Sequence, residues 1–157
     1  MEKPDHLIAA LADEDQRLNE LIAGCPPERR ERSGPGGMMG PKETIGHLAF
    51  WDSFAVAFFT RKLEGAVQRE SGVDLERLNK QEMKQLRRRP WEDVLAAYRA
   101  ATTDLVRFLR AHWRELSDDE RAAFLTPLRH RRHHRLLLAR SLRETEAAPR
   151  ARRAQEG

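Results

Sequence analysis

The sequence predicts an all-α protein, a four-helix bundle with one short extra helix. Apolar residues recur at helical spacing in four long segments of the chain. No segment shows the strict alternation of apolar and polar residues that marks a half-buried strand. Proline and glycine stand at the ends of the helical segments, where they act as breaks. We therefore expect one helical domain over residues 1–146, followed by a disordered basic tail over residues 147–157.

The composition is that of a compact but highly charged soluble protein. Apolar residues make up 39% of the 157 residues and charged residues 34%, with a net charge of +4. The positive charge is concentrated at the C-terminal end, where residues 126–157 carry nine arginines and three glutamates. These residues contribute +6, which leaves −2 for residues 1–125.

Cys25 is the only cysteine, so neither an internal disulfide nor a cysteine-rich zinc site can form. The N-terminal residues MEKPDHL lack the basic and apolar regions of a signal peptide. Asp52 interrupts the most apolar stretch, which is too short between its flanking charges to cross a bilayer. We expect a cytoplasmic protein that does not associate with a membrane.

The first helix is predicted over residues 4–23. Pro4 suits a first helical turn, and Gly24 followed by two prolines ends the helix. The apolar residues at helical spacing are Leu7, Ile8, Leu11, Leu18, Leu21 and Ile22. The glycine-rich segment over residues 34–40 lacks the spacing of a phosphate-binding loop, so we interpret residues 24–40 as a connector.

The second helix, residues 41–63, contains the longest apolar run of the chain. Pro41 suits its first position, and Glu43 is favourable near the positive end of the helix dipole. Its broad apolar surface consists of Ile45, Leu48, Trp51, Ala55, Phe58 and Phe59. A helix this apolar must be covered by several neighbouring helices.

Three further helical segments complete the predicted fold. A short amphipathic helix is expected over residues 73–86 and a third long helix over residues 90–113. Ser117 and Glu120 have the spacing of a capping box for a short helical turn. The last helix is expected to follow Pro127 and to end near Glu146.

The histidines suggest a metal site. His130 and His134 are four residues apart, so on a helix they share one face and can bind one ion. His47, on another helix, can supply a third nitrogen, and Glu43 can hold the other ring nitrogen of His47. Three neutral imidazoles suit zinc, nickel or iron(II) and leave a coordination position open. The alternative interpretations are a core role for His47 and a solvent-facing basic surface for the arginine-rich segment around His130.

Other kinds of chemistry are less well supported by the sequence. Cys25 lies in a loop with no histidine near it in sequence, which argues against a cysteine nucleophile. Asp52 is open to several roles: a buried base or ligand, a partner for an arginine, or a solvent-facing residue. The arginine-rich last helix has the charge for phosphate contacts, but no aromatic residues are interleaved with it. We do not expect specific nucleic-acid recognition.

The segment PKETIGHLAFWDSF, residues 41–54, resembles the second-helix signature of the DinB-like superfamily, which reads approximately WSxxDxLxHLxxW. That superfamily includes the N-terminal domains of mycothiol-dependent maleylpyruvate isomerases and the ClbS/DfsB group. His47 falls on the ligand histidine, and Glu43 falls on the acidic position. The segment over residues 73–98 is similar to the family's second connection. His130, His134 and Arg135 match its HxxxH motif followed by arginine.

The resemblance implies an up-up-down-down bundle, often a homodimer, that holds a divalent metal, most commonly zinc or nickel, through His47, His130 and His134. It also implies a thiol-dependent transferase or isomerase, or a detoxification enzyme, that acts on a small electrophile with a low-molecular-weight thiol. Trp51, Phe54 and Phe58, with Asp52, are expected to line the substrate pocket. The alternative is a metal-free, non-catalytic bundle of the ClbS/DfsB kind that sequesters a small molecule or binds a partner protein.

Overall fold

The computed structural model describes residues 4–66 and 74–155, with the backbone alone from residue 147 onwards. The helices are α1 (Asp5–Ala23), α2 (Pro41–Leu63), α3 (Leu75–Arg88), α4 (Trp91–His112), α5 (Asp118–Ala123) and α6 (Leu125–Gln155). Two short 3-10 turns, Pro27–Arg29 and Pro35–Gly37, lie in the connection between α1 and α2. These two described ranges contain no strand, so the predicted all-α fold is confirmed for them.

Most predicted helix boundaries agree with the structure to within a few residues. Helix α2 has the predicted bounds, and the capping box of α5 is present, with Ser117 N–H donating to Glu120 Oε2 at 2.7 Å. The predicted start of the short helix at Val73 lies outside the described residues. Helix α6 continues to Gln155, so the predicted disordered tail is corrected to helix over residues 147–155. Alanine and arginine, which are strong helix formers, make up most of this stretch, although Pro149 within it opposes helix formation.

Two apolar clusters fill the interior. The first combines the C-terminal half of α1, the N-terminal halves of α2 and α4, the C-terminal end of α3 and the middle of α6. Its members are Leu18, Ile22, Ile45, Leu48, Ala49, Leu86, Trp91, Val94, Tyr98, Ala101 and Leu138. The second combines the N-terminal half of α1, the C-terminal half of α4 and the α4–α6 connection. Its members are Leu7, Leu11, Leu105, Phe108, Leu109, Leu116 and Phe124.

The membership of these clusters fixes the helix directions. Helix α1 runs from the second cluster to the first, as α6 does from Leu128 to Leu138. Helices α2 and α4 run the opposite way and pack along each other. The order of the long helices is therefore up-down-down-up, which corrects the expected up-up-down-down order. Helices α2 and α4 can run in parallel because the connection that contains α3 returns the chain to its starting end.

A layer of polar side chains separates the two apolar clusters. Glu14 of α1, Asp52 of α2 and Arg131 of α6 are all buried, and Thr102 of α4 is half-buried. Arg131 donates to both Asp52 and Thr102, so the layer links three of the four long helices directly. No helix in the described part of the chain combines the length and apolar character needed to cross a membrane.

Candidate metal centre

Helices α2 and α6 bring three histidines together. His47 is buried on the first half of α2, and His130 and His134 are half-buried, one turn apart on α6. Each residue offers a ring nitrogen within 4.8 Å of those of the other two. The ring centroids are also close: 4.9 Å between His47 and His130, 4.8 Å between His47 and His134, and 4.6 Å between His130 and His134. The structure thus brings the three predicted ligand residues together in one cluster.

These separations match what one metal ion requires. Zinc–nitrogen bonds of about 2.1 Å in tetrahedral geometry place two ligand nitrogens about 3.4 Å apart. The Nε2 atoms of His47 and His130 are 3.1 Å apart. The three ligand atoms lie within 4.8 Å of one another, so the widest separation must shorten for all three to bind one ion. The three histidines lie close enough to hold one metal ion, and imidazole ligands suit zinc, copper, iron and nickel alike.

Glu82 of α3 orients His47. Its Oε2 lies 3.3 Å from His47 Nδ1, and both side chains are buried. When Glu82 is ionised, its carboxylate can only accept, so Nδ1 then carries the hydrogen and the lone pair of Nε2 faces His130. A carboxylate that holds the second nitrogen of a histidine in this way is typical of metal ligands and raises their basicity.

Glu43 does not have the role that the sequence predicts. Its Oε1 accepts from Gly40 N–H at 3.3 Å, and its Oε2 lies 3.5 Å from Arg87 Nη2. Glu43 therefore caps the start of α2 and is directed away from the ring of His47. The expected partner of His47 Nδ1 is corrected from Glu43 to Glu82.

A glycine lets α3 approach closely enough for this contact. A Cβ atom on Gly46 would lie 2.2 Å from the Cδ2 atom of Leu86, whose side chain is 3% exposed. Leu86 lies one turn after Glu82 and packs against the backbone of α2. The absence of a side chain at Gly46 thus permits the close packing of α2 and α3 beside His47.

One buried and two partly buried ion pairs hold α6 in register with α1 and α2. Arg131, between the two ligand histidines in sequence, binds Asp52 with Nη2 2.6 Å from Oδ2. Arg132 and Arg135 bind opposite oxygens of Glu14, at 2.8 and 2.6 Å respectively. Rotation or sliding of α6 would break these contacts. The same contacts therefore direct His130 and His134 towards α2.

The site favours neutral imidazoles on α6. Burial lowers the pKa of His130 from its ordinary value of 6.5 to about 4, and the nearby His47 adds to this effect. Burial also lowers the pKa of His134 to about 3, with a further contribution from His130. Both residues are thus neutral near pH 7, which is the form that binds a metal.

A cavity of about 520 Å³ opens beside the histidines. His47 and His130 form part of its wall, together with all four predicted pocket residues, Trp51, Asp52, Phe54 and Phe58. Asn79 of α3 also lines it, and Asn79 Oδ1 accepts from Trp51 Nε1–H at 3.0 Å. Asp52 is the one acidic side chain among the lining residues, and Arg131 neutralises it.

The remaining histidines are not part of the group. His133 and His6 are exposed, and His112 pairs with Glu115 near the end of α4. The sequence did not identify Glu82, Arg131 and Glu14. Glu82 contacts His47, and the other two hold α6 in place through their ion pairs. One signal was available for Glu14. It continues the spacing of the apolar residues of α1, and an acid at such a position needs a cationic partner.

No protein-family model, curated protein or solved structure matches this chain.

Proposed function

We propose that this protein binds a divalent metal, zinc or nickel, through His47, His130 and His134, within a four-helix bundle of the DinB-like type. The observation that supports this most directly is the proximity of the three ring nitrogens, all within 4.8 Å of one another. Two further features favour it: Glu82 fixes the tautomer of His47, and burial keeps His130 and His134 neutral. Each neutral imidazole has one ring nitrogen with a lone pair that can bind a metal ion.

The proposed activity is that of a thiol-dependent transferase or isomerase, or of a detoxification enzyme, acting on a small electrophile. A bound ion would supply a Lewis acid that lowers the pKa of a water or thiol ligand. The aromatic walls of the cavity, including Trp51, Phe54 and Phe58, would exclude water and hold the substrate beside His47 and His130. A cytoplasmic location and a homodimer belong to the same proposal.

Metal content after purification without chelators or affinity metals tests the proposal. We expect zinc or nickel at close to one ion per chain, and loss of that ion in His47→Ala and His134→Ala. His133→Ala is the matched control, since His133 is exposed on the same helix. A wild-type protein that contains no metal, and whose melting temperature does not change when zinc is added, contradicts the proposal.

A second candidate is a metal-free bundle that sequesters a small molecule or binds a partner. The observation that favours it is the 3.1 Å separation of the Nε2 atoms of His47 and His130, which also suits a direct hydrogen bond. In that case one of the two rings donates a hydrogen bond to the other, and adding zinc does not change the melting temperature of the protein. The metal analysis above separates the two candidates.

A further inference from the structure

The cavity beside the three histidines has a largely apolar lining. Five aromatic side chains contribute to it: Trp51, Phe54, Phe58, Phe59 and Phe124. Its volume of about 520 Å³ is within the range of about 300–1,000 Å³ that small-molecule sites occupy. No lysine or arginine lines it among the residues that the structure describes. The walls therefore suit an apolar body and offer no cationic partner to a multiply charged polar molecule.

The charge balance beside the histidines indicates which polar group the ligand carries in addition to its apolar body. Three neutral imidazoles leave the double positive charge of a bound ion uncompensated. Glu82, which contacts His47, supplies at most one negative charge. Asp52 supplies none, because Arg131 neutralises it with Nη2 2.6 Å from Oδ2. A doubly charged ion would therefore leave at least one positive charge at the end of this apolar cavity, where it would attract an anion.

The cavity also contains a fixed hydrogen-bonding group. The carbonyl oxygen of the Asn79 side chain accepts from Trp51 Nε1–H at 3.0 Å, which sets the orientation of the amide. The amide nitrogen of Asn79 has no acceptor among the described residues and is available to a ligand. A second, neutral acceptor on the ligand fits this donor.

We propose that the cavity binds a small aromatic or branched aliphatic molecule with one anionic group, a carboxylate, phenolate or thiolate, that ligates the metal. This inference rests on the proposed metal site and narrows the substrate class that the site takes. The apolar lining without lysine or arginine disfavours polar peptide thiols such as glutathione, which carry several charges and little apolar surface.

Calorimetric titration of the zinc-loaded protein with matched probes tests the inference. The probes are 4-phenylbutanoate, butanoate, 4-phenylbutanamide and reduced glutathione. We expect 4-phenylbutanoate to bind at least about 30-fold more tightly than butanoate, because the ring is buried among the aromatic walls. We expect it to bind at least about 10-fold more tightly than the neutral amide, because the amide lacks the charge that pairs with the ion. Equal affinities in either comparison, or glutathione as the tightest ligand, overturn the inference.

Two variants locate the binding site. Phe58→Ala should reduce the preference for 4-phenylbutanoate over butanoate by about five-fold or more, because it removes one aromatic wall. Leu136→Ala is the control, since Leu136 is 54% exposed and does not line the cavity. An unchanged preference in Phe58→Ala overturns the inference.

The zinc content of each sample separates this inference from the proposed function. Stoichiometric zinc without the probe preference overturns the substrate class alone and leaves the metal site in place. Failure of the wild-type protein to bind zinc overturns both.

Discussion

Arg131 and Asp52 form a bidentate ion pair in the interior, with Nη2 2.6 Å from Oδ2 and Nη1 3.1 Å from Oδ1. Both residues are 1% exposed. The pair joins α6 to α2 between the two α6 histidines, so it supports the fold and positions the candidate metal ligands at the same time. Arg131 also reaches Thr102 of α4 at 3.1 Å.

We expect Arg131→Met to lower the free energy of unfolding by about 3–5 kcal/mol, because it leaves the Asp52 carboxylate buried without its partner. The double variant Asp52→Leu with Arg131→Met should lose less free energy of unfolding than Arg131→Met alone, since no charge is then left unpaired. Urea unfolding followed by circular dichroism measures both.

The exposed pair Asp104–Arg107 on α4 provides the control for this prediction. Arg107→Met should leave the free energy of unfolding almost unchanged, because exposed ion pairs contribute little. The coupling is measured against the single variants Asp52→Leu and Arg131→Met. If the double variant loses as much stability as these two single variants combined, the buried pair is not energetically coupled.

Glu14 gives the protein an acid-sensitive contact. Hydrogen bonds from Arg135, and then from Arg132, hold the pKa of this carboxyl below its usual value of 4.5. A lowered pKa in the folded state stabilises the protein fully above about pH 4.5, and this stabilisation is lost as the pH falls through the folded-state value. Glu14→Gln should therefore be less stable than wild type at pH 7, and the difference should shrink on acidification.

Urea unfolding at a series of pH values between about 7 and 3 measures this difference. Glu20→Gln, an exposed substitution on the same helix, is the control and should follow the wild-type curve. A constant difference between wild type and Glu14→Gln across that range contradicts the assignment of the lowered pKa to Glu14.

Glu82→Gln should weaken zinc binding by about 10–100-fold without unfolding the protein, because the carboxylate orients His47 and raises its basicity. Competition with a chromophoric chelator measures the affinity. Glu76→Gln, which removes an exposed acid from the same helix, is the control. An affinity that Glu82→Gln leaves unchanged means that the contact between Glu82 and His47 does not support metal binding.

In the metal-free protein, the imidazoles of His130 and His134 should remain mostly neutral at pH 6. The reason is that burial lowers the pKa of His130 to about 4 and that of His134 to about 3. Nuclear magnetic resonance of the ring protons, assigned with single-residue His→Gln variants, follows both titrations. A midpoint near the ordinary value of 6.5 for either ring would show that it is more exposed to solvent than the structure indicates.

His130 and His134 could be paired from sequence because their spacing is a local signal, whereas His47 depended on the resemblance of residues 41–54 to a family signature. His130 and His134 are one helical turn apart, and His47 lies in an apolar helix that begins at Pro41. The aromatic cavity residues follow from their position on α2, one to three turns after His47. Periodicity places such residues on a face of a helix before any tertiary contact is known.

The supporting residues could not be identified in this way. Glu82 lies on a highly charged helix, and only the approach of α3 to Gly46 places it beside His47. Arg131 lies in the segment RHRRHHR, where nothing local distinguishes the one buried arginine from the solvent-facing ones. Its partner, Asp52, is 79 residues away in the chain. Helix directions depend in the same way on contacts between distant segments.

X-ray absorption spectroscopy of the zinc-loaded protein counts the imidazole ligands of the ion. We expect three imidazole nitrogens at about 2.0–2.1 Å from the ion, with one further light-atom ligand. We expect two imidazoles in His134→Ala and three in the control His133→Ala. A wild-type spectrum with fewer than three imidazoles, or one that His134→Ala leaves unchanged, would contradict a metal centre built from His47, His130 and His134.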